Sequence, residues 1–255
     1  MMFKTIIALI KMIVFMIGYQ SKKRLALKYD KEGNIAERDK IVQECVPMWA
    51  RRVVEICGST VEVEGVEKLP KDQACVFIGN HQGYMDIPVM FGFIPKAMTF
   101  VAKAELGKVP LIAPWMRLLQ CTFIVRDSPR KSVEAIHAAA EGVKKGYSQV
   151  IFPEGHRSKG KRHLEFKAGS FKLAFLSESP IVPVTIDGTY KILEEKGKLN
   201  PSHVKITIHD PIPTKGLSRE EQGLIPAKVQ EIVMAPLDEG MRPLSSGAGK
   251  NSTAK

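Results

Sequence analysis

The stretch ACVFIGNHQGYMD, residues 74–86, decides the reading of this chain. Its first half is a short apolar run rich in β-formers, which predicts a strand buried on both faces over 75–79. The run breaks at Gly79-Asn80-His81, and a helix is expected to begin near Met85. His81 then sits on the loop leaving the C-terminal end of a strand, with Asp86 in the first turn of the next helix. Open α/β sheets bind their ligands at that edge.

On a continuous helix, residues five apart lie about 140° from each other and do not meet. Across a sharp strand-to-helix turn they can. The carboxylate then accepts from Nδ1 of the imidazole and leaves the other ring nitrogen outward, as a general base acting on a hydroxyl requires. Taken alone, the His81 to Asp86 spacing fits a solvated loop histidine beside an Asp that caps a helix better than it fits a catalytic pair.

Outward from this stretch, strands are predicted at 61–63, 99–102, 122–125, 150–152, 181–186 and 204–208. They alternate with helices at 85–93, 111–119, 132–145, 170–177 and 220–237. That order predicts an α/β layer fold with a largely parallel central sheet flanked by helices, spanning residues 59–240. Residues 241–255 are rich in Ser, Gly and Lys and are expected to be disordered.

The N-terminal residues 1–58 read as a two-helix membrane-association motif. Residues 5–19 are apolar apart from Lys11; as a helix they reach about 22 Å, short of a hydrocarbon core of about 30 Å. Lys4, Lys11 and Lys22 share one side of the helical wheel, which suits a helix lying in the interface with its lysines at the headgroups. A single span with Gln20-Ser21-Lys22-Lys23-Arg24 held cytoplasmic is the alternative. After a polar linker at 30–34, a second helix is expected over 35–57, kinked at Pro47, with Ile41, Val42, Cys45, Val46, Trp49, Val53 and Ile56 on its apolar stripe.

The chain has 255 residues and a formal charge of +11, which points to an anionic partner: nucleic acid, a membrane surface or a phosphorylated substrate. Tyr and Trp are few and not interleaved with the basic run at 156–167, which disfavours nucleic acid. Cys45, Cys57, Cys75 and Cys121 show no C-x-x-C pair and are expected to be reduced core thiols. Spacing for a metal site, a P-loop, a dinucleotide fingerprint or a G-x-S-x-G elbow is missing, so no cofactor and no serine acyl-enzyme are expected.

Two more stretches follow predicted strands, and a third lies within one. Phe152-Pro153-Glu154-Gly155-His156-Arg157-Ser158 combines a tight turn at Gly155 with a planar guanidinium suited to phosphate. Lys103 and Arg126 each end a strand and would complete a phosphate clamp if they converged near His81. Val182-Pro183-Val184 is an apolar block within a strand.

Together these blocks resemble the glycerolipid acyltransferase superfamily typified by 1-acyl-glycerol-3-phosphate acyltransferase. Asn80 to Asp86 resembles its N-H-x4-D block, Lys103 through Pro110 to Arg126 its second, Phe152 to Ser158 its F-P-E-G-T-R-S block and Val182-Pro183-Val184 its V-P-V block. The likeness covers residues 65–188, in family order. His156 stands where the family usually has Thr.

The resemblance implies the family's α/β fold and N-terminal helical membrane motif, at the cytoplasmic face of the cell membrane. It implies a general base at His81 oriented by Asp86, and direct attack of the acceptor's hydroxyl on an acyl thioester. Glu154, Gly155 and Arg157 would hold the acceptor's phosphate, Lys103 and Arg126 would add positive charge, and Val182, Pro183 and Val184 would support the acyl pocket. The co-substrate would be acyl-CoA or acyl-carrier protein, the acceptor lysophosphatidate and the product phosphatidate. Acylation of glycerol-3-phosphate or of another lysolipid is the nearest alternative, and a non-catalytic anionic-lipid-binding module the alternative of another class.

Overall fold

Among the described residues seven segments rich in β-branched residues become strands: β1 (Thr60–Glu64), β2 (Val76–Gly79), β3 (Met98–Lys103), β4 (Thr122–Ile124), β5 (Ser148–Ile151), β6 (Ile181–Asp187) and β7 (His203–Ile208). In the computed structural model, which describes residues 2–125 and 127–243, they form one sheet in the order β1-β7-β6-β2-β5-β3-β4. All neighbours pair in parallel except β6 and β7. Every residue of β2 and β5 is buried, as strands covered on both faces of a sheet are; β2 is an unbroken apolar run, whereas β5 opens with the polar Ser148 and Gln149.

Among the described residues eight α-helices cover the sheet or precede it: α1 (Met2–Gly18), α2 (Gln20–Lys31), α3 (Ile35–Ile56), α4 (Asp86–Phe93), α5 (Ala113–Leu118), α6 (Pro129–Lys144), α7 (Lys172–Ser177) and α8 (Arg219–Met234). Side chains alternate across each strand, and the core divides accordingly. Phe77, Val182 and Val184 pack with Val46, Val53 and Met90 of α3 and α4. Val76, Ile78 and Ile181 pack on the other face with Ile136, Leu173 and Val229 of α6, α7 and α8.

The N-terminal region holds three helical segments where two were expected. Residues 20–31 form α2, whose basic exterior conceals a contact face: Ala26 is fully buried and Leu27 and Tyr29 pack on the core. Asn34 then caps α3, accepting from the Glu37 amide, and α3 continues as one helix through Pro47. Arg38, 3 % exposed, ties the region to the body: it donates to Asp30 and Asp39 and to the hydroxyl of Tyr147 just before β5.

On α1, Ala8 is buried and Met12 packs on the core, while Ile6, Ile10, Ile13, Val14 and Ile17 form an exposed stripe on the opposite side. Among the described residues no single helix is long and apolar enough to cross a membrane; α1 and α2 reach that standard only together, across a 45° bend.

All four cysteines are free, and burial pushes the thiols of Cys57 and Cys75 up to about 11. At the other end of the chain, Met241 accepts the amide of His163 and Arg242 donates to Leu237, so this segment is docked on the body. The rest of the expected tail, 244–255, lies outside the described residues.

Candidate active site

β2 delivers its loop to β6. At Gly79 an added Cβ would stand 2.9 Å from the Val184 carbonyl. The next residue, Asn80, is fully buried and copies a strand pairing: its side chain donates to Ile186 O and accepts from Ile186 N, both at 2.8 Å. The chain then turns, and His81 and Asp86 meet as their spacing allows.

Asp86 is fully buried at the start of α4. Its Oδ2 accepts from His81 Nδ1 at 2.6 Å, from the Gln82 amide at 2.7 Å and from the Gly83 amide at 3.0 Å. Its Oδ1 accepts from the Thr189 hydroxyl. Four donors and the positive end of α4 thus solvate a carboxylate that has lost its water. With Nδ1 donating to Asp86, the lone pair of the neutral imidazole falls on Nε2. The ring stacks on Phe152, centroids 4.2 Å apart and planes 5° from parallel, which fixes its orientation. This pair can take a proton at Nε2 and stabilise the cation that results.

Glu154 does not face a ligand. It is fully buried; Oε1 accepts from the His81 amide at 2.7 Å and from His163 Nδ1 at 2.9 Å, and Oε2 accepts from the Leu164 amide at 3.0 Å. A buried anion whose oxygens are both occupied cannot hold a phosphate, so the expected phosphate contact is replaced by a brace under His81. Two further bonds join the loops: Ser158 N to His81 O at 2.8 Å and Lys159 N to Gln82 O at 3.0 Å. The turn between them needs Gly155, whose φ is +74°.

Arg157 stays on the site side, its side chain 25 % exposed. The guanidinium carbon lies 3.6 Å above the Tyr84 ring and Nη1 lies 3.6 Å from Glu194. Lys103 ends β3 with its half-exposed ammonium 3.0 Å from Glu105, so its partner is that carboxylate and not the His81 loop. Arg126 lies outside the described residues. Val182, Pro183 and Val184 are buried in β6 beside β2, in register with Phe77, Ile78 and Gly79. They act through the sheet, holding the strand that carries the His81 loop. His156 is exposed.

Thr189 and Glu194 were not singled out from sequence, and Phe152 figured there as the start of a turn stretch and not as a ring against His81. Thr189 and Glu194 follow β6, which only the strand order places beside β2. A crevice of about 520 Å³ between α3 and the ends of α4 and α5 lies at the opposite edge of the sheet and includes no predicted site residue.

Residues 60–187, about half of the chain, match the family model described as Acyltransferase. The chain belongs to the acyltransferase family. Among curated acyltransferases it is similar to the chloroplastic 1-acyl-sn-glycerol-3-phosphate acyltransferase BAT2 of Brassica napus, 36% identical over 59% of this chain and 44% of that one. It is also similar to 1-acyl-sn-glycerol-3-phosphate acyltransferase of Saccharomyces cerevisiae, 32% identical over 71% of this chain and 61% of that one. The chain therefore spans less than two thirds of the length of these relatives. Its fold matches the crystal structure of the 1-acyl-sn-glycerophosphate acyltransferase PlsC from Thermotoga maritima, with a TM-score of 0.70 and 29% identity over 90% of this chain and 95% of that one.

Proposed function

We propose that this acyltransferase moves an acyl chain from a thioester to the sn-2 hydroxyl of 1-acyl-glycerol-3-phosphate, forming phosphatidate. The observation that carries this reading is the 2.6 Å contact between His81 Nδ1 and the buried Asp86, at the sheet edge where ligands bind. The names of the relatives support lysophosphatidate as acceptor.

In this mechanism Nε2 of His81 removes the hydroxyl proton as the oxygen attacks the thioester carbonyl carbon. The tetrahedral intermediate collapses with cleavage of the carbon–sulfur bond, and the imidazolium returns its proton to the departing thiolate. Asp86 stabilises the imidazolium between these steps. The amides of His81, Gln82, Gly83 and Tyr84 are all taken by carboxylates, so the oxyanion's donors come from outside this loop. Arg157 supplies the charge for the acceptor's phosphate. Acyl-CoA and acyl-carrier protein are equally suited as donor. The exposed apolar stripe of α1, with Lys11 exposed on the same helix, supports in-plane docking at the cytoplasmic face of the membrane.

The test is acyl transfer by detergent-solubilised protein, with labelled acyl-CoA and acyl-carrier protein as donors and lysophosphatidate and glycerol-3-phosphate as acceptors. Transfer to lysophosphatidate that falls by at least about 100-fold in His81→Ala is the expected outcome. Transfer that survives His81→Ala would overturn the mechanism, and no transfer to either acceptor would overturn the assignment.

A further inference from the structure

Of the four residues between His81 and Asp86, Gln82 and Gly83 serve the carboxylate through their backbone amides, whereas Tyr84 turns to other partners. Its ring lies under the guanidinium of Arg157, with the guanidinium carbon 3.6 Å from the ring centroid. Tyr84 itself is 62% exposed, so no packing in the body demands an aromatic residue there. Beneath both, Glu194 accepts the Tyr84 amide at 2.7 Å and approaches Arg157 Nη1 at 3.6 Å, with only 5% of its own side chain exposed. Gly83 permits that approach, since a Cβ there would stand 2.7 Å from Glu194 Oε2.

We propose that Tyr84 is a positioning residue for phosphate recognition, holding the plane of Arg157 from the loop that carries His81. The inference rests on the proposed phosphate-bearing acceptor. A guanidinium has two faces and a fork of donors. Tyr84 covers one face, and Nη1 is turned inward to a buried position near Glu194, where it has no hydrogen-bond partner among the described residues. The edge formed by Nε and Nη2 is left to meet two oxygens of a phosphate monoester. Because the ring belongs to the same loop as His81, the clamp ties the position of the phosphate to that of the base. Removing the ring frees a long side chain to sample other rotamers, and each acceptor molecule that binds must then order it again.

The experiment measures calorimetric Kd values in uncharged detergent for lysophosphatidate and for the monoacylglycerol of the same chain, which lacks the phosphate. Wild type, Tyr84→Ala, Tyr84→Leu, Tyr84→Phe and Arg157→Ala are compared, with melting temperatures to verify folding. Tyr84→Ala and Tyr84→Leu are expected to weaken lysophosphatidate by about five- to tenfold, Tyr84→Phe to restore it, and none to alter the monoacylglycerol. In an Arg157→Ala background, Tyr84→Ala should have no further effect. An unchanged Kd in Tyr84→Ala, full recovery by Leu, or equal weakening of both lipids would overturn the proposal, the last two by making Tyr84 an apolar lipid contact. So would wild type that does not prefer the phosphate-bearing lipid. Protein that binds in the expected pattern but transfers no acyl group would sink the proposed reaction and leave this clamp standing; active protein indifferent to Tyr84 would do the reverse.

Discussion

The carboxylate of Glu154 accepts the backbone N–H of His81 at 2.7 Å while His163 and Leu164 occupy the rest of it, so the F-P-E-G stretch braces the proposed base from behind. Truncating a fully buried charge with three donors around it leaves those donors unpaired. Glu154→Ala should destabilise the fold by about 3–5 kcal/mol and lower kcat, because the His81 backbone is released. Chemical denaturation and steady-state kinetics check this. A stable variant whose sole defect is a raised KM for the acceptor would return Glu154 to the phosphate.

Thr189 gives the second prediction. Its hydroxyl donates to Asp86 Oδ1, the oxygen that His81 does not use. Thr189→Val keeps the shape and removes the donor, leaving a buried carboxylate oxygen unsatisfied. We expect kcat to fall by about tenfold with KM little changed, and Thr189→Ser to recover most of the loss. A Ser variant as poor as Val would indicate that the methyl contact matters and the hydroxyl does not.

All seven strands were legible in the sequence because each is an apolar or alternating run between turn residues, and the turn after Gly79 was enough to bring His81 and Asp86 together. What could not be read is non-local. Thr189 lies 103 residues beyond Asp86, and Glu194 lies 110 beyond Tyr84; both reach the site because β6 pairs with β2. The same strand order separates β3 from β2 by β5, which leaves Lys103 with Glu105 and away from the His81 loop. Which way Glu154 turns depends on donors that converge from two distant segments, the His81 loop and His163-Leu164, and a Pro-Glu-Gly turn has the same composition whether its carboxylate points in or out. The helix at 20–31 was hidden by its charge: its contacts to the body come from Ala26, Leu27 and Tyr29 among lysines and arginine.

His209 makes the stability of the fold depend on pH. Burial, and then Lys68, hold its pKa below the usual 6.5, and its Nε2 lies 2.8 Å from the Thr185 hydroxyl oxygen. That hydroxyl donates to the Val233 carbonyl, so the imidazole serves as the donor to Thr185 in its neutral form. The unfolded chain takes up this proton near 6.5 and the folded chain only at lower pH. Stability therefore rises with pH across that window: it is present above about 6.5 and is lost as pH falls toward the folded value. Urea midpoints at about pH 7.5 and about pH 5.5 should fall further for wild type than for His209→Gln. Equal falls would exclude His209 as the source.

The apolar stripe of α1 yields the last prediction. Ile10 is 54% and Ile17 57% exposed, on the side away from the core contacts of Ala8 and Met12. Side chains that already face outward contribute little to folding, so Ile10→Glu with Ile17→Glu should leave the melting temperature within a few degrees of wild type. Each isoleucine driven into an interface contributes up to about 1.5–3 kcal/mol, and a carboxylate in its place is repelled by anionic headgroups as well. Binding to phosphatidylglycerol vesicles should therefore drop by more than about 100-fold, a change of about 2.7 kcal/mol or more. High salt separates the two contributions, because it screens the lysines and leaves the apolar term intact. Wild type that stays on the vesicles in high salt while the double variant leaves them at every salt concentration identifies the stripe as the anchor. A variant that remains bound at low salt and is released by high salt places the attachment on the basic surface instead.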